Sequence, residues 1–252
     1  MSDRPRRFPL LVVLLLGLCG AQAVAADVLD AQVVLNAYQG LVEEHLSGVM
    51  RSAAVIARTH EARSGRWQTT KPLLDAFSAD LGTDATVFYA RPDGSYYSTE
   101  NDRVTDQTLK DRPYFAALMA GRAVLGELVI SKSTGHRSII VATPVTVEGR
   151  VVAAVGVSVR ARLLSQWVDA TLQLPADWYF YALNDSQQIA LHRNMDRLFR
   201  TPAEVGDEAL GEAFAEPLRQ SRGAFAYTLD GQRITTIFQR SPLIGWHFFL
   251  AR

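Results

Sequence analysis

Three runs near the middle of the chain, VLGELVIS (124–131), RSIIVATPVTV (137–147) and RVVAAVGVSV (150–159), are rich in β-branched residues. They are joined only by the short turns STGH and EG. Connections that short cannot carry a crossover, so the three strands must lie antiparallel as a meander. A polar connection and a short apolar stretch, PYFAALMA (113–120), precede them, with Pro at the first helical position and Gly121 just past the end. Before that, DATVFYA (84–90), the turn RPDG and SYYST (95–99) form a hairpin. The unit is thus a hairpin, a helical excursion and a three-stranded meander.

The same order returns. ARLLSQWVDATL (161–172) is a connecting helix, and WYFYAL (178–183) is a strand before the turn NDSQQ. A helix-like segment runs from about Glu204 to Leu218. GAFAYTL (223–229), QRITTIFQR (232–240) and WHFFLAR (246–252) make a second meander. The halves share little residue identity, so the repeat is one of architecture. Ahead of both, residues 27–63 carry no Pro and space Val28, Leu35, Tyr38, Val42, Leu46, Val49, Ala53 and Ile56 by threes and fours, which predicts one long helix that RSGRW (63–67) ends. Its stripe is open to two uses, packing on its own domains or a homodimer seam through residues 28–56. The fold class is α+β: residues 27–66 as a long N-terminal helix, 67–160 as a first antiparallel-sheet domain, 161–252 as a connecting helix and a smaller second one.

Residues 1–26 are set apart from this fold. Arg4, Arg6 and Arg7, the apolar LLVVLLLGL (10–18) and the small residues AVAA (23–26) have the pattern of a secretory signal peptide. An uncleaved anchor is the alternative, although the apolar stretch reaches only 17 residues through Ala26 and contains Gln22. Lipidation at Cys19 would want a small residue at Leu18. Removing Asp3 and those three arginines from 26 acidic and 26 basic residues leaves 25 against 23, so nucleic acid is excluded as a partner by charge. Cys19 is the only cysteine, and losing it leaves no disulfide, thiol nucleophile or cysteine metal site. Export without disulfides is compatible with a periplasm. With no further apolar run near 18 residues, any signal is expected to pass to a separate membrane-bound partner.

An enzyme is disfavoured. No serine stands three before a lysine, there is no G-x-S-x-G elbow, and the five histidines lack H-E-x-x-H or close metal spacing. No cofactor is implied. Arg112 is the residue that invites a ligand. A guanidinium presents a planar fork of donors to a carboxylate, and Pro113 places it at a helix start, where free N–H groups favour an anion. Tyr114 adds a hydroxyl or a flat wall. A structural reading also stands, with Arg112 paired to Asp111 or Asp106 and Tyr114 and Phe115 filling the core. Tyr89, Tyr97, Ser131, Thr143 and Ser158 lie on strands that border the same region; Lys132 is either solvated or at its rim. His192 and Arg193 raise a second pocket in the other half.

DRPYF, GELVISKSTG, IIVATPV and GRVVAAVGVSV resemble the ligand-binding half of double Cache domains, PAS-like extracytoplasmic sensor modules of bacterial chemoreceptors, histidine kinases and cyclic-dinucleotide enzymes. The likeness is strong over 84–160 and looser beyond. It implies a membrane-distal domain with the pocket and a smaller proximal one. In the amino-acid-binding branch an Arg-x-Trp-Tyr motif holds the ligand carboxylate and acidic residues on later strands hold its ammonium. Arg112, Tyr114 and Phe115 fall on that motif, with Tyr for Trp and Phe for Tyr. Ser131 and Ser158 stand where the aspartates would be. The resemblance therefore implies a small organic carboxylate without a positive charge, captured by a chemotaxis-like sensor. The competing expectation is a partner-docking or assembly protein that uses the long helix.

Overall fold

Leu35, Tyr38, Val42, Leu46, Val49, Ala53 and Ala57 alternate spacings of three and four, which places them on one stripe of a helix. In the computed structural model, α1 (Leu16–Ala57) buries all seven and runs along both sheets of the molecule. The structure describes the backbone of residues 16–252 and, Thr83 apart, the side chains from Ala31 onward. The positive n-region and most of the apolar run of the expected signal peptide lie outside the described residues. Among the described residues no helix is long and apolar enough to cross a membrane. Among the described side chains of α1, which begin at Ala31, Val33 and Val55 are the large apolar residues left exposed. Of the two uses open to the stripe, packing on the chain's own sheets is the one these seven residues serve.

The helix also ends earlier than expected. Thr59 takes an extended backbone, and its hydroxyl accepts from the Ala62 N–H at 3.2 Å to start α2 (His60–Arg63). A further helix beyond those expected, α3 (Trp67–Leu81), holds Pro72 inside it. Pro72 is exposed, so the carbonyl it frees can reach water, while Thr70, Leu74 and Phe77 supply the buried stripe.

The first sheet contains β1 (Ala85–Ala90), β2 (Tyr96–Ser98), a short unforeseen β3 (Arg103–Val104), then, after α4 (Pro113–Met119), β4 (Val124–Ile130), β5 (Arg137–Val147) and β6 (Arg150–Arg160). Its order is β3-β2-β1-β6-β5-β4, all antiparallel. Glu148 and Gly149 both have positive φ, the two-residue turn that matches strand twist, and join β5 to β6. After α5 (Ala161–Leu172) come β7 (Tyr179–Leu183) and β8 (Ile189–His192). The expected 204–218 helix is split into α6 (Pro202–Val205), capped by Thr201, and α7 (Glu208–Ala215), capped by Asp207. β9 (Arg222–Leu229), β10 (Gln232–Arg240) and β11 (His247–Ala251) complete a second sheet, β8-β7-β11-β10-β9. In both units the first strand pairs with the last, so the repeat of architecture is real. This is the double Cache, PAS-like fold.

Two contacts tie the second unit to α1 and to the first sheet. The Tyr38 ring sits 5.0 Å from both Phe180 and Phe248. The indole N–H of Trp246 donates to the Gly126 carbonyl at 3.2 Å, and a Cβ on Gly126 would lie 2.5 Å from Ile244. Only glycine lets β4 approach the β10–β11 loop this closely, and its φ of +93° suits it as well.

The Tyr38 hydroxyl is fully buried without a hydrogen-bond partner among the described residues. Tyr38→Phe removes an unsatisfied polar group at little cost in packing, and is expected to raise stability by about 1 kcal/mol in urea denaturation. A loss of that size would show that the hydroxyl has a partner.

His192 is buried, stacks on Tyr181 with centroids 5.7 Å apart, and accepts at Nδ1 from the Asn194 N–H at 2.7 Å. Burial, then the nearby Arg197 charge, pushes its imidazole down to about 3. The unfolded chain, with histidine near 6.5, binds the proton first, so this contribution is complete above pH ~6.5 and is lost as pH falls toward 3. His192→Asn keeps an acceptor near Nδ1 and is expected to flatten that acid limb of the pH–stability curve. Part of the limb persists, since His45 and His247 are also pushed down by burial. An unchanged limb would contradict the assignment.

Candidate functional site

Strand alternation sorts the first sheet into two faces. Val87, Tyr89, Val141, Val155 and Val157 join the core under α1, whereas Phe88, Ala90, Ile140, Ala142 and Ala154 form a smaller cluster under α4. Register aligns the second face into rows, Thr86 beside Ser158 beside Ile140, and Phe88 beside Gly156 beside Ala142. A Cβ on Gly156 would lie 2.0 Å from the Phe88 ring, so the missing side chain is what lets that ring lie across β6. Above this floor stands α4, with Pro113 at its first turn and Tyr114, Phe115 and Leu118 turned inward.

Between floor and helix is a small cavity of about 30 Å³, room for one or two waters. Arg112, Tyr114, Ser131 and Ser158, all expected there, line it. The hydroxyls of Thr86, Ser98 and Ser133, the rings of Phe88 and Tyr96, and Lys132 join them. Ser98 and Ser158 have buried hydroxyls with no hydrogen-bond partner among the described residues. The Ser131 hydroxyl is 3.2 Å from that of Ser133, and the Thr86 hydroxyl donates to Glu100 at 3.1 Å. Burial pushes the Tyr114 hydroxyl well above its ordinary pKa, so it stays a protonated donor.

Two cations border this cavity, and they differ. Lys132 Nζ donates to both oxygens of Asp111 at 2.6 and 2.7 Å and to the Thr108 carbonyl at 2.7 Å, closing the rim. Its hydrogen bond holds the Asp111 carboxyl below the usual range. Arg112 donates from Nη2 to the Ile130 carbonyl at 2.5 Å and has no carboxylate partner among the described residues. The expected structural pairs are therefore not formed: Asp111 is taken by Lys132, and Asp106 lies 4.0 Å from Arg103. Among the described residues no carboxylate lines the cavity. Glu127 sits beside Ile140 in the sheet but outside the lining, and partial burial pushes its carboxyl up.

Four expected residues stand elsewhere. Tyr89 faces α1, and its hydroxyl donates to the Ala62 carbonyl at 2.6 Å. Tyr97 stacks on Trp67 at 4.7 Å and donates to Asp75 and Asp102. Thr143 falls between Val141 and Val145 on that same α1 face. Phe115 packs in the cluster under α4 and is not part of the lining. The lining residues that the sequence reading did not single out, Thr86, Phe88, Tyr96 and Ser98, lie on β1 and β2 with the opposite parity to Tyr89 and Tyr97. The pairing of Thr86 with Ser158 was the signal that would have found them. In the second unit His192 and Arg193 do border a cleft of about 340 Å³. Arg193, however, is engaged with Asp169 and with the carbonyls of Leu174, Pro175 and Trp178.

No family model matches the chain, and no curated protein matches it in sequence. Solved structures do match in fold. The sensory domain of the Campylobacter jejuni chemoreceptor Tlp3 with isoleucine bound superposes with a TM-score of 0.68 at 12% identity, covering 92% of this chain and 94% of that one. The ligand-binding domain of the Pseudomonas aeruginosa amino acid chemoreceptor PctB with L-Arg gives 0.65 at 21%, covering 84% and 88%. That of Pseudomonas fluorescens CtaA with L-serine gives 0.68 at 16%, covering 91% and 97%. At these identities the likeness is one of fold.

Gly156→Ala is expected to push the Phe88 ring off β6 into the cavity, at a cost of roughly 1–3 kcal/mol in denaturant titrations. Unchanged stability would contradict the stacking of Phe88 on Gly156.

Proposed function

We propose that the chain is an extracytoplasmic sensor module that binds a small organic carboxylate and reports it through a separate signalling partner. The observation that carries this reading is Arg112, a half-buried guanidinium at a hydroxyl-lined cavity with no carboxylate of its own among the described residues. A ligand carboxylate supplies the missing acceptor, with the Tyr114 hydroxyl and the orphaned Ser98 and Ser158 hydroxyls as further partners. The structural neighbours were solved with isoleucine, L-Arg and L-serine. An α-amino acid also brings an ammonium, and no carboxylate among the described residues lines this cavity to receive it. Ser131 and Ser158, where the resemblance implies aspartates, favour a ligand without that charge.

Binding requires movement, since about 30 Å³ does not admit an organic acid. The ligand displaces the Ile130 carbonyl from Arg112, and the Lys132–Asp111 rim opens. Capture then favours whichever arrangement of α4 and the β4–β5 turn holds the ligand best, which shifts a population without any chemical step.

A thermal-shift screen of organic acids and amino acids tests this. A ligand at a hundredfold its Kd stabilises by about 2.7 kcal/mol. Arg112→Ala is expected to weaken the responding acid by roughly 30- to 150-fold, the loss of about 2–3 kcal/mol from a charge-assisted contact. Ser131→Asp combined with Ser158→Asp is expected to transfer the response from organic acids toward amino acids. A folded protein that answers no acid, or answers equally in Arg112→Ala, would overturn the reading.

A further inference from the structure

Arg137 opens β5, Arg160 ends β6 and Arg162 lies in the first turn of α5, so the topology gathers three guanidinium groups at one end of the first sheet. With His136 they line a second cleft, about 400 Å³ in volume, whose far wall is Met195 and Leu198 of the second unit. Among the described residues no carboxylate lines it. Two of the arginines are only loosely compensated from outside, Arg160 by Glu100 at 3.5 Å and Arg162 by Asp196 at 3.6 Å. Arg137 has no carboxylate partner among the described residues, and the buried Nε of Arg160 has no hydrogen-bond partner among them. The first turn of α5 carries no side-chain cap, so its free N–H groups add to the same positive field.

We propose that this junction cleft binds a small phosphomonoester. Guanidinium groups that line one cleft from two strands and a helix suit a tetrahedral dianion, which offers acceptors in several directions, better than a planar monocarboxylate. The volume leaves space beyond the phosphoryl group for an organic part. The site is separate from the Arg112 cavity, yet the two share a wall. Ser131 to Ser133 face the cavity and Gly135 to Arg137 face the cleft, while the Ser131 N–H donates to the His136 carbonyl and the Gly135 N–H to the Ser131 carbonyl, each at 2.8 Å. An anion in the cleft thus rests on the turn that carries part of the cavity lining.

Isothermal titration of the full 252-residue chain with glycerol 1-phosphate and with inorganic phosphate, at fixed ionic strength against chloride, tests the proposal. Saturable one-site binding is expected, weakened at least tenfold in both Arg137→Ala and Arg162→Ala and less than twofold in Arg112→Ala. Both junction arginines are partnered loosely or not at all, and circular dichroism checks that the variants fold. Absence of saturable binding overturns the proposal, as does binding indifferent to both junction variants. Loss in Arg112→Ala alone places the anion in the other cavity and equally overturns it. Vesicles of phosphatidic acid provide the last arm. Sedimentation with vesicles, without any response to the soluble esters, would assign the cleft to a lipid headgroup instead.

Discussion

The pairing of β1 with β6 is the contact on which the rest of the first unit depends. Nearly sixty residues separate the two strands, and their register, Thr86 on Ser158 and Phe88 on Gly156, closes the sheet across that gap. It also decides which side chains meet α1 and which meet α4. Large β-branched residues on one face bind the sheet to the long helix. On the other, small and hydroxylated residues leave the space that Phe88, Tyr114 and Arg112 border. A one-residue slip would exchange the faces and remove both the core and the cavity.

Cavity and junction are mechanically close. β4 meets the second unit at Gly126, under the Trp246 indole, and a few residues later supplies Val129 to the cavity, followed by Ser131 just past its end. The Ile130 carbonyl between them is the group that Arg112 now holds. One strand and the turn after it therefore touch the candidate ligand site, the basic cleft and the second unit. That gives a small displacement at Arg112 a packed route across the junction. The closed Lys132–Asp111 rim is exposed on the carboxylate side and screened by salt, so opening it costs little compared with unfolding any part of the sheet.

Local chemistry was legible in the sequence, and register across long separations was not. The meander, the positive-φ turn at Glu148–Gly149, the short helix after Arg112 and the repeated unit order all follow from spacing and turn residues. Ser131 and Ser158 line the cavity from the meander itself, whose order the turns make legible. Tyr89, Tyr97 and Thr143 were assigned to the wrong face, since which parity of β1 and β5 points inward is set by pairing with β6 and by α1 packing against the other side. α3 is a different case: Pro72 argues against a helix locally, and only the burial of Leu74 and Phe77 against the sheet outweighs it. The stripe on α1 was read correctly as apolar, but a stripe alone does not say whether its partner is the same chain or another.

The central claim is that the Arg112 guanidinium awaits a carboxylate, and its own nitrogen resonances report on that directly. Nitrogen-15 spectra of the arginine side chains, assigned with Arg112→Lys and recorded while acetate, lactate and succinate are added at constant ionic strength, are the measurement to make. One of these acids is expected to shift the Arg112 signals saturably and to slow rotation of its guanidinium, leaving the Arg193 signals in place. Arg112 signals that stay fixed with every acid, in a folded chain, would contradict it and leave Arg112 as a brace for the Ile130 carbonyl.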